Sequence, residues 1–475
     1  MSAAPTALRT SSARIAALAW PMFIGQAAVL AFATIDTALV ARYSASDLAA
    51  LAVGMAAYIT VFIGLAGVVL AVGPIAGQLF GARRHAAAGE QLHQAVWLAL
   101  FLSIVGSSLL LFPAPFIALA RASPEVESKV RGYLVALAMA LPASMLFTAY
   151  RGFNGAVSRP KAVMVLQLGG LALKLPLSAL LVYGAGPVPA FGVVGCGIAT
   201  CIVMWCQTLA AWQVVRRDHF YAPFAITGHG LKPINRAALA AQIKLGVPLG
   251  LSILVEVTGF AFMAFFISRI GANAVAGHQI AANLVSLLFM LPLSLGNAAS
   301  TLVAQSIGAG ARRDARRVGW HAMQLAALCA LAVGGAVFAA REGIVRLYTG
   351  NEVIVAAALP LLTWVAVFIF VDAIQIAASF ILRAYHVATV PLVIYAASIW
   401  GIGMGGGYVL AFNVGGAIPP ALQGARGYWV ASTTGIAAAA IGLTLCLVWV
   451  LRRERAKDLN NELNTERITA QPPAG

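Results

Sequence analysis

Twelve apolar stretches, each long enough to cross a bilayer, leave this chain little choice of architecture. A helix needs about 20 apolar residues to traverse the hydrocarbon core. Such stretches fall near 15–41, 51–79, 92–120, 131–153, 162–183, 191–215, 243–268, 275–307, 318–340, 353–382, 389–412 and 428–451. In lipid, backbone polar groups must be satisfied inside the protein, and helices do this within one segment. The expected class is an all-α membrane protein of twelve transmembrane helices. Composition agrees: of 475 residues 61% are hydrophobic and 10% charged, where soluble domains carry about 25% charged residues.

The formal net charge of +16 would suit a nucleic-acid partner, but its distribution excludes one. Lys and Arg sit in short links between apolar runs rather than on one amphipathic face, which is the positive-inside pattern. With the N-terminus in the cytoplasm, that side carries Arg9 and Arg14, Arg83 and Arg84, Arg151, Arg159 and Lys161. It also carries the basic residues from Arg216 to Lys244, Arg312 to Arg317, Arg383, and Arg452 to Arg467. The opposite side carries Arg42, Arg121, Lys129, Arg131, Arg269, Arg341, Arg346 and Arg426. Both termini are therefore expected inside. The cysteines, Cys196, Cys201, Cys206, Cys329 and Cys446, are odd in number and lie within apolar runs, as small buried residues do. Residues 1–14 lack a short apolar core with a cleavage site, so no cleaved leader is expected.

The chain also repeats itself. At an ungapped offset of 227 residues Pro21 pairs with Pro248, Arg42 with Arg269, Phe62 with Phe289, Gln78 with Gln305, Gly81 with Gly308 and Ala82 with Ala309. Six spans per half insert both halves the same way up, a parallel repeat with its axis along the membrane normal. The expected organisation is two pseudo-symmetric six-helix lobes, 1–220 and 243–452, joined by a cytoplasmic linker at 221–242, with a disordered tail at 453–475. A repeat of this kind places a cavity between rocking lobes; a duplicated scaffold with no central path is the alternative.

Four charges lie inside apolar runs: Asp36, Glu256, Asp372 and Lys174. An ionised group at mid-membrane costs at least about 2.5–3.5 kcal/mol, so such residues meet a partner or a wet cavity and mark ion paths. Asp36 has Arg42 and Lys174 as candidate partners. Lys174 either pairs with Asp36 or reaches a headgroup. Glu256 is either functional or a hydrogen-bonded core carboxyl, and Asp372 is either functional or bonded to Gln375 one turn on. If their spans pack together, Glu256 and Asp372 can share a cation, Na⁺, or a proton, since close carboxylates resist double ionisation. Gln26, His278, Gln279 and Asn283 are polar groups in the same spans. Gln279 and Asn283 share a helix face, lining a cavity or bonding between helices. Pro74, Pro142, Pro176, Pro292 and the glycines of 401–407 permit bending.

No phosphate loop, zinc pattern or nucleophile motif stands out, so no enzyme activity and no cofactor are expected. The segments Trp20–Gln26, Ile35–Thr37, Val255–Thr258, Ala276–Ile280, Leu288–Ser294, Val371–Gln375, Leu382–Tyr385 and Val194–Thr200 together resemble the multidrug and toxic compound extrusion (MATE) family, NorM-like branch. The likeness runs over nearly the whole chain. It implies a bacterial inner-membrane antiporter that exports cationic or hydrophobic drug-like molecules against Na⁺ or H⁺. It also implies roles for an acid in the first helix, Asp36, and an acid pair in the seventh and tenth, Glu256 and Asp372. Several relatives carry amide residues in helix 5 where this chain has Lys174 and Ser178, which argues against Na⁺ binding beside Asp36. A monomer is expected, with the bilayer, the coupling cation and small molecules as partners. A flippase for a lipid-linked precursor, with Lys174 in a pyrophosphate cavity, is the second reading.

Overall fold

The computed structural model describes the backbone of residues 3–114, 116–117, 123–228 and 230–469, with side chains described from Ser11 to Ala456 within those ranges. Among the described residues, twelve helices are long and apolar enough to span a membrane. They are α1 (Ser11–Tyr43), α2 (Ala45–Gly81), α3 (His85–Leu111), α4 (Pro124–Ala156), α5 (Pro160–Tyr183), α6 (Val193–Arg217), α7 (Arg236–Ser268), α8 (Ala272–Gly308), α9 (Arg312–Tyr348), α10 (Glu352–Ala384), α11 (Thr389–Ala411) and α12 (Ala425–Ala456). The third lies earlier than the expected 92–120, because Pro113 disfavours helical geometry in Phe112 and ends α3 at Leu111. Large apolar side chains such as Phe101, Ile104, Met139, Leu209, Leu328 and Leu445 are more than half exposed. Water would not tolerate so much apolar surface, and hydrocarbon does.

Two separate apolar cores define two lobes. One gathers Val40, Leu51, Leu134, Phe153 and Val193; the other gathers Leu284, Leu302, Phe368, Trp429 and Leu443. Two boundaries shift from expectation. Ile15 and Ala19, at the start of α1, belong to the second core, while Val40 at its far end belongs to the first, so α1 crosses from lobe to lobe. Tyr221, Phe224 and Ile226, expected in the linker, are buried in the first core. The 3-10 turn His219–Phe224 stacks its Phe224 ring on Phe80 and sets it edge-to-face against Phe153. Trp97 donates to Lys232 O (2.9 Å) and Gln94 to Pro233 O (3.0 Å), pinning the rest of the link onto α3. The expectation of a disordered tail from 453 is corrected in part. Helix continues to Thr469, because residues 451–469 hold no Gly or Pro and many good helix formers; residues 470–475 lie outside those described.

The lobes meet along the end where α2 and α8 run into basic clusters. There α2 and α7 cross through glycines: a Cβ on Gly67 would strike the backbone of Gly250, and one on Gly246 would strike Val68 O. Small residues let helix backbones approach this closely. Below that crossing the contact is reciprocal. A Cβ on Gly81 would strike Gln305 O, and one on Gly308 would strike Gln78 O. Gln78 donates to Ala384 O (2.8 Å), the last carbonyl of α10. Gln305 donates to Ala156 O (2.7 Å), the last carbonyl of α4. Each glutamine thus satisfies an orphan carbonyl at a helix end of the other lobe. Among the described residues, every side-chain hydrogen bond that joins the lobes directly lies at this basic end.

Replacing Gly308 by Ala forces the lobes apart here, at about 1–3 kcal/mol, the usual strain of overpacking. A cysteine placed at the fully buried Ala304, in a chain stripped of its native cysteines, is expected to stay unreactive to a water-soluble maleimide with Gly308 present. It should become reactive in Gly308→Ala; equal labelling of the two would show that this contact does not hold the basic end shut.

Candidate functional site

In α2, Gly64 and Gly67 touch the other lobe, and the same face continues outward as Thr60, Ala56, Ala52 and Ala49, all exposed. In α8, Thr301 donates to Gly155 O (3.1 Å) across the lobe interface. Eighteen residues earlier, five helical turns on the same face, stands Asn283, with Gln279 one turn beyond; both are exposed. Faces that pack together at the basic end are therefore exposed toward the opposite end, as the walls of a cleft between the lobes would be. Asn283 Oδ1 accepts from Tyr348 OH (2.8 Å) on α9. His278 does not line that cleft. One position from Gln279, it is turned about 100° around the helix, is 1% exposed, and lies with its ring 5.9 Å from that of Trp429 in the second core. Gln26 is half-buried on α1, about three turns nearer the basic end than Asp36 and a quarter-turn away around the helix.

Glu256 and Asp372 come together inside the second lobe. Asp372, 3% exposed on α10, feels the charge of Glu256 on α7, and no described residue donates a hydrogen bond to either carboxyl. Glu256 opens onto a cavity of about 20 Å³ bounded by Met263 and Phe260 of α7, Phe368 of α10, Gly403 of α11 and Ser432 of α12. That is room for about one water-sized occupant. Ser432 donates to Met263 Sδ (3.4 Å), which leaves its oxygen lone pairs available as acceptors. Gln375 is fully buried with both amide atoms unpartnered, so it is not bonded to Asp372. Unsatisfied polar groups at this depth call for water or an ion.

The wall facing Glu256 has a backbone peculiarity. Ala396–Gly405 of α11 winds as a π-helix, a wider turn found mostly where function has reshaped a helix. Trp400 Nε1 donates to Val255 O (3.2 Å), fastening this segment beside Glu256. Tyr395 is buried among Glu256, Arg383, Ser379 and Asp372. Arg383, placed in a loop by hydropathy, lies over the Phe380 ring (4.0 Å) with its Nε unpartnered and acts electrostatically on Glu256. Sequence reading missed Tyr395, Ser379, Arg383 and Ser432 as members of this site. Nothing in their spacing marks them, although the glycine run of 401–407 did mark the unusual helix.

The first lobe holds the other two buried charges as a closed pair. Lys174 Nζ meets Asp36 Oδ2 at 3.0 Å, with 0% and 5% side-chain exposure. Lys174 also donates to Thr200 Oγ1 and to Cys196 O (3.3 Å) on α6, and Ser178 donates to Asp36 Oδ1 (3.3 Å). All three ammonium protons have acceptors. Arg42 is exposed and takes no part. Removing one partner of such a pair strands the other, at about 3–5 kcal/mol.

Comparison with known proteins agrees with this architecture. Residues 21–180 and 248–409, one block in each lobe, match the model of the MatE family. A probable multidrug resistance protein NorM of Aromatoleum aromaticum is 37% identical over 95% of this chain and 96% of its own length. Multidrug resistance protein PmpM of Pseudomonas aeruginosa is 33% identical over 94% of this chain and 93% of its own. Among solved structures, the eukaryotic MATE transporter AtDTX14 superposes with a TM-score of 0.83 at 20% identity, covering 95% of this chain and 99% of that one. A match in both halves, relatives above 30% identity along nearly the full length, and twelve helices in two lobes together place the chain in the MatE family.

Proposed function

We propose that this protein is a secondary antiporter that exports cationic or hydrophobic organic compounds in exchange for Na⁺ or H⁺. The observation that carries the reading is the acid pair of the second lobe: two carboxyls without donors, beside a water-sized cavity and an unpartnered glutamine. Like charges that act on each other in an apolar interior are relieved by a proton or a cation. The described residues contain no group of three or more His, Cys, Asp or Glu that could hold a metal ion. Na⁺ would therefore rest on Glu256 and Asp372 together with neutral oxygens such as that of Ser432.

With the basic end in the cytoplasm, the lobes are closed inward and parted outward, the state from which a compound leaves the cell. A cation entering the second lobe from outside drives export only through different affinities in the inward and outward states. The relatives named as multidrug resistance proteins support drug-like compounds as the cargo, with Gln279 and Asn283 as polar contacts on the cleft wall. A lipid-linked pyrophosphate is disfavoured as cargo, because Lys174 is fully buried and saturated and offers the cleft no positive charge.

In proteoliposomes, Asp372→Asn is expected to abolish the acceleration of export by an imposed cation gradient, an effect on the scale of about 5–150-fold for ordinary couplings. The variant should remain folded and membrane-inserted; undiminished gradient-driven export would remove the coupling claim. Comparing export with and without Na⁺ at fixed pH identifies the driving ion.

Asn283→Ala is expected to weaken the apparent affinity for an organic cation about fivefold, the loss of roughly one hydrogen bond, with the dependence on the driving ion unchanged. A shift in ion dependence with unaltered substrate affinity would place Asn283 outside the cleft's binding surface.

A further inference from the structure

The two lobes treat the same position differently. In the first lobe the buried charges come from its first and fifth helices, the sixth supplies the acceptors Thr200 and Cys196 O, and the fourth supplies Tyr133, which lies near Asp36. In the second lobe the cavity beside Glu256 is bounded by the same four members of the repeat, α7, α10, α11 and α12. The offset of 227 that pairs Pro21 with Pro248 and Arg42 with Arg269 also sets Asp36 against Met263, and Met263 lies on the cavity wall. One location in the repeat is thus an open, acid-lined cavity in one lobe and a closed ion pair in the other.

The geometry points to Lys174 as a tethered counter-cation that fills the first lobe's cation position, so that only the second lobe exchanges a free ion. The ammonium is fully buried and spends its three donors on Asp36, Thr200 and Cys196 O. Ser178 holds the other carboxylate oxygen. A free cation entering there would have to displace a charge that is covalently attached and cannot leave. Lys174 therefore sets the number of ions exchanged per molecule exported. This inference rests on the antiporter reading above.

The test is a static-head measurement in proteoliposomes at clamped membrane potential. An ethidium gradient is balanced against an imposed Na⁺ gradient at constant pH and, separately, against an imposed pH gradient at constant Na⁺. The summed slope of the logarithmic ethidium ratio against the logarithmic ion ratios gives ions per ethidium by linkage, about one for the native chain and about two for Lys174→Asn. An active Lys174→Asn protein whose slope stays at that of the native chain overturns the inference. Should that variant fail to assemble, Asp36→Asn with Lys174→Met removes both charges at once. The native slope retained in this double variant supports the inference, and a lost slope overturns it. Adding Asp372→Asn to Lys174→Asn should lower the slope by about one. Failure of that arm alone counts against the role of the second-lobe acids and leaves Lys174 standing.

Discussion

A charge carried into an apolar bundle has to be met there, because no solvent is at hand to meet it. This chain meets its buried charges in two ways, and most of what distinguishes its lobes follows from the difference. Asp36 and Lys174 satisfy each other, with Thr200, Cys196 and Ser178 taking up the remaining donors and acceptors. Glu256 and Asp372 act on each other electrostatically without a hydrogen-bond donor among the described residues, and Glu256 borders a small cavity. The first arrangement is self-contained, while the second leaves its carboxyls without donors among the described residues.

The surroundings of the acid pair differ on its two flanks. Aromatic rings pack in sequence from Phe260 to Phe368 to Trp429 to His278, giving the second core a stiff flank beside the cavity. On the other flank the π-helical stretch of α11 packs closely on α12, where Gly435 sits against Ser398 O and Gly403. Helix α1 ties this lobe to the other: Ile15 and Ala19 are anchored in one core and Val40 in the other. Any rocking of the lobes would have to be absorbed along that helix, which has Pro21 between the two anchors.

Much of the architecture was legible because it rests on length, apolarity and repetition. The twelve spans and the two lobes follow from runs of Leu, Val, Ala and Ile and from the matches at one offset. Depth alone singled out Asp36, Lys174, Glu256 and Asp372, since a lone charge in an apolar run is conspicuous. What hydropathy could not convey was direction around a helix axis. His278 and Gln279 are neighbours in the chain, yet one is sealed against Trp429 and the other is exposed. Arg383 reads as a loop residue because it follows a span, while the structure folds it back toward Glu256 over Phe380. Tyr395 and Ser432 carry no signal at all, because ordinary hydroxyl residues acquire meaning only from their neighbours in space. The linker misled for a related reason: Tyr221 and Phe224 look like loop punctuation until the aromatic cluster that receives them is formed.

The reciprocal contact at the basic end carries a further meaning. Gly81 meets the strand of backbone at Gln305 as Gly308 meets that at Gln78, and each glutamine reaches the terminal carbonyl of a helix in the opposite half. A surface that binds its own equivalent in this manner is isologous, the hallmark of two-fold homodimers. A half-length chain bearing this element would already own a self-complementary face. The present molecule therefore preserves a dimer's symmetry in its closure while its buried acids and lysine are arranged differently in the two lobes, as two fused copies are free to do and two separate identical subunits are not.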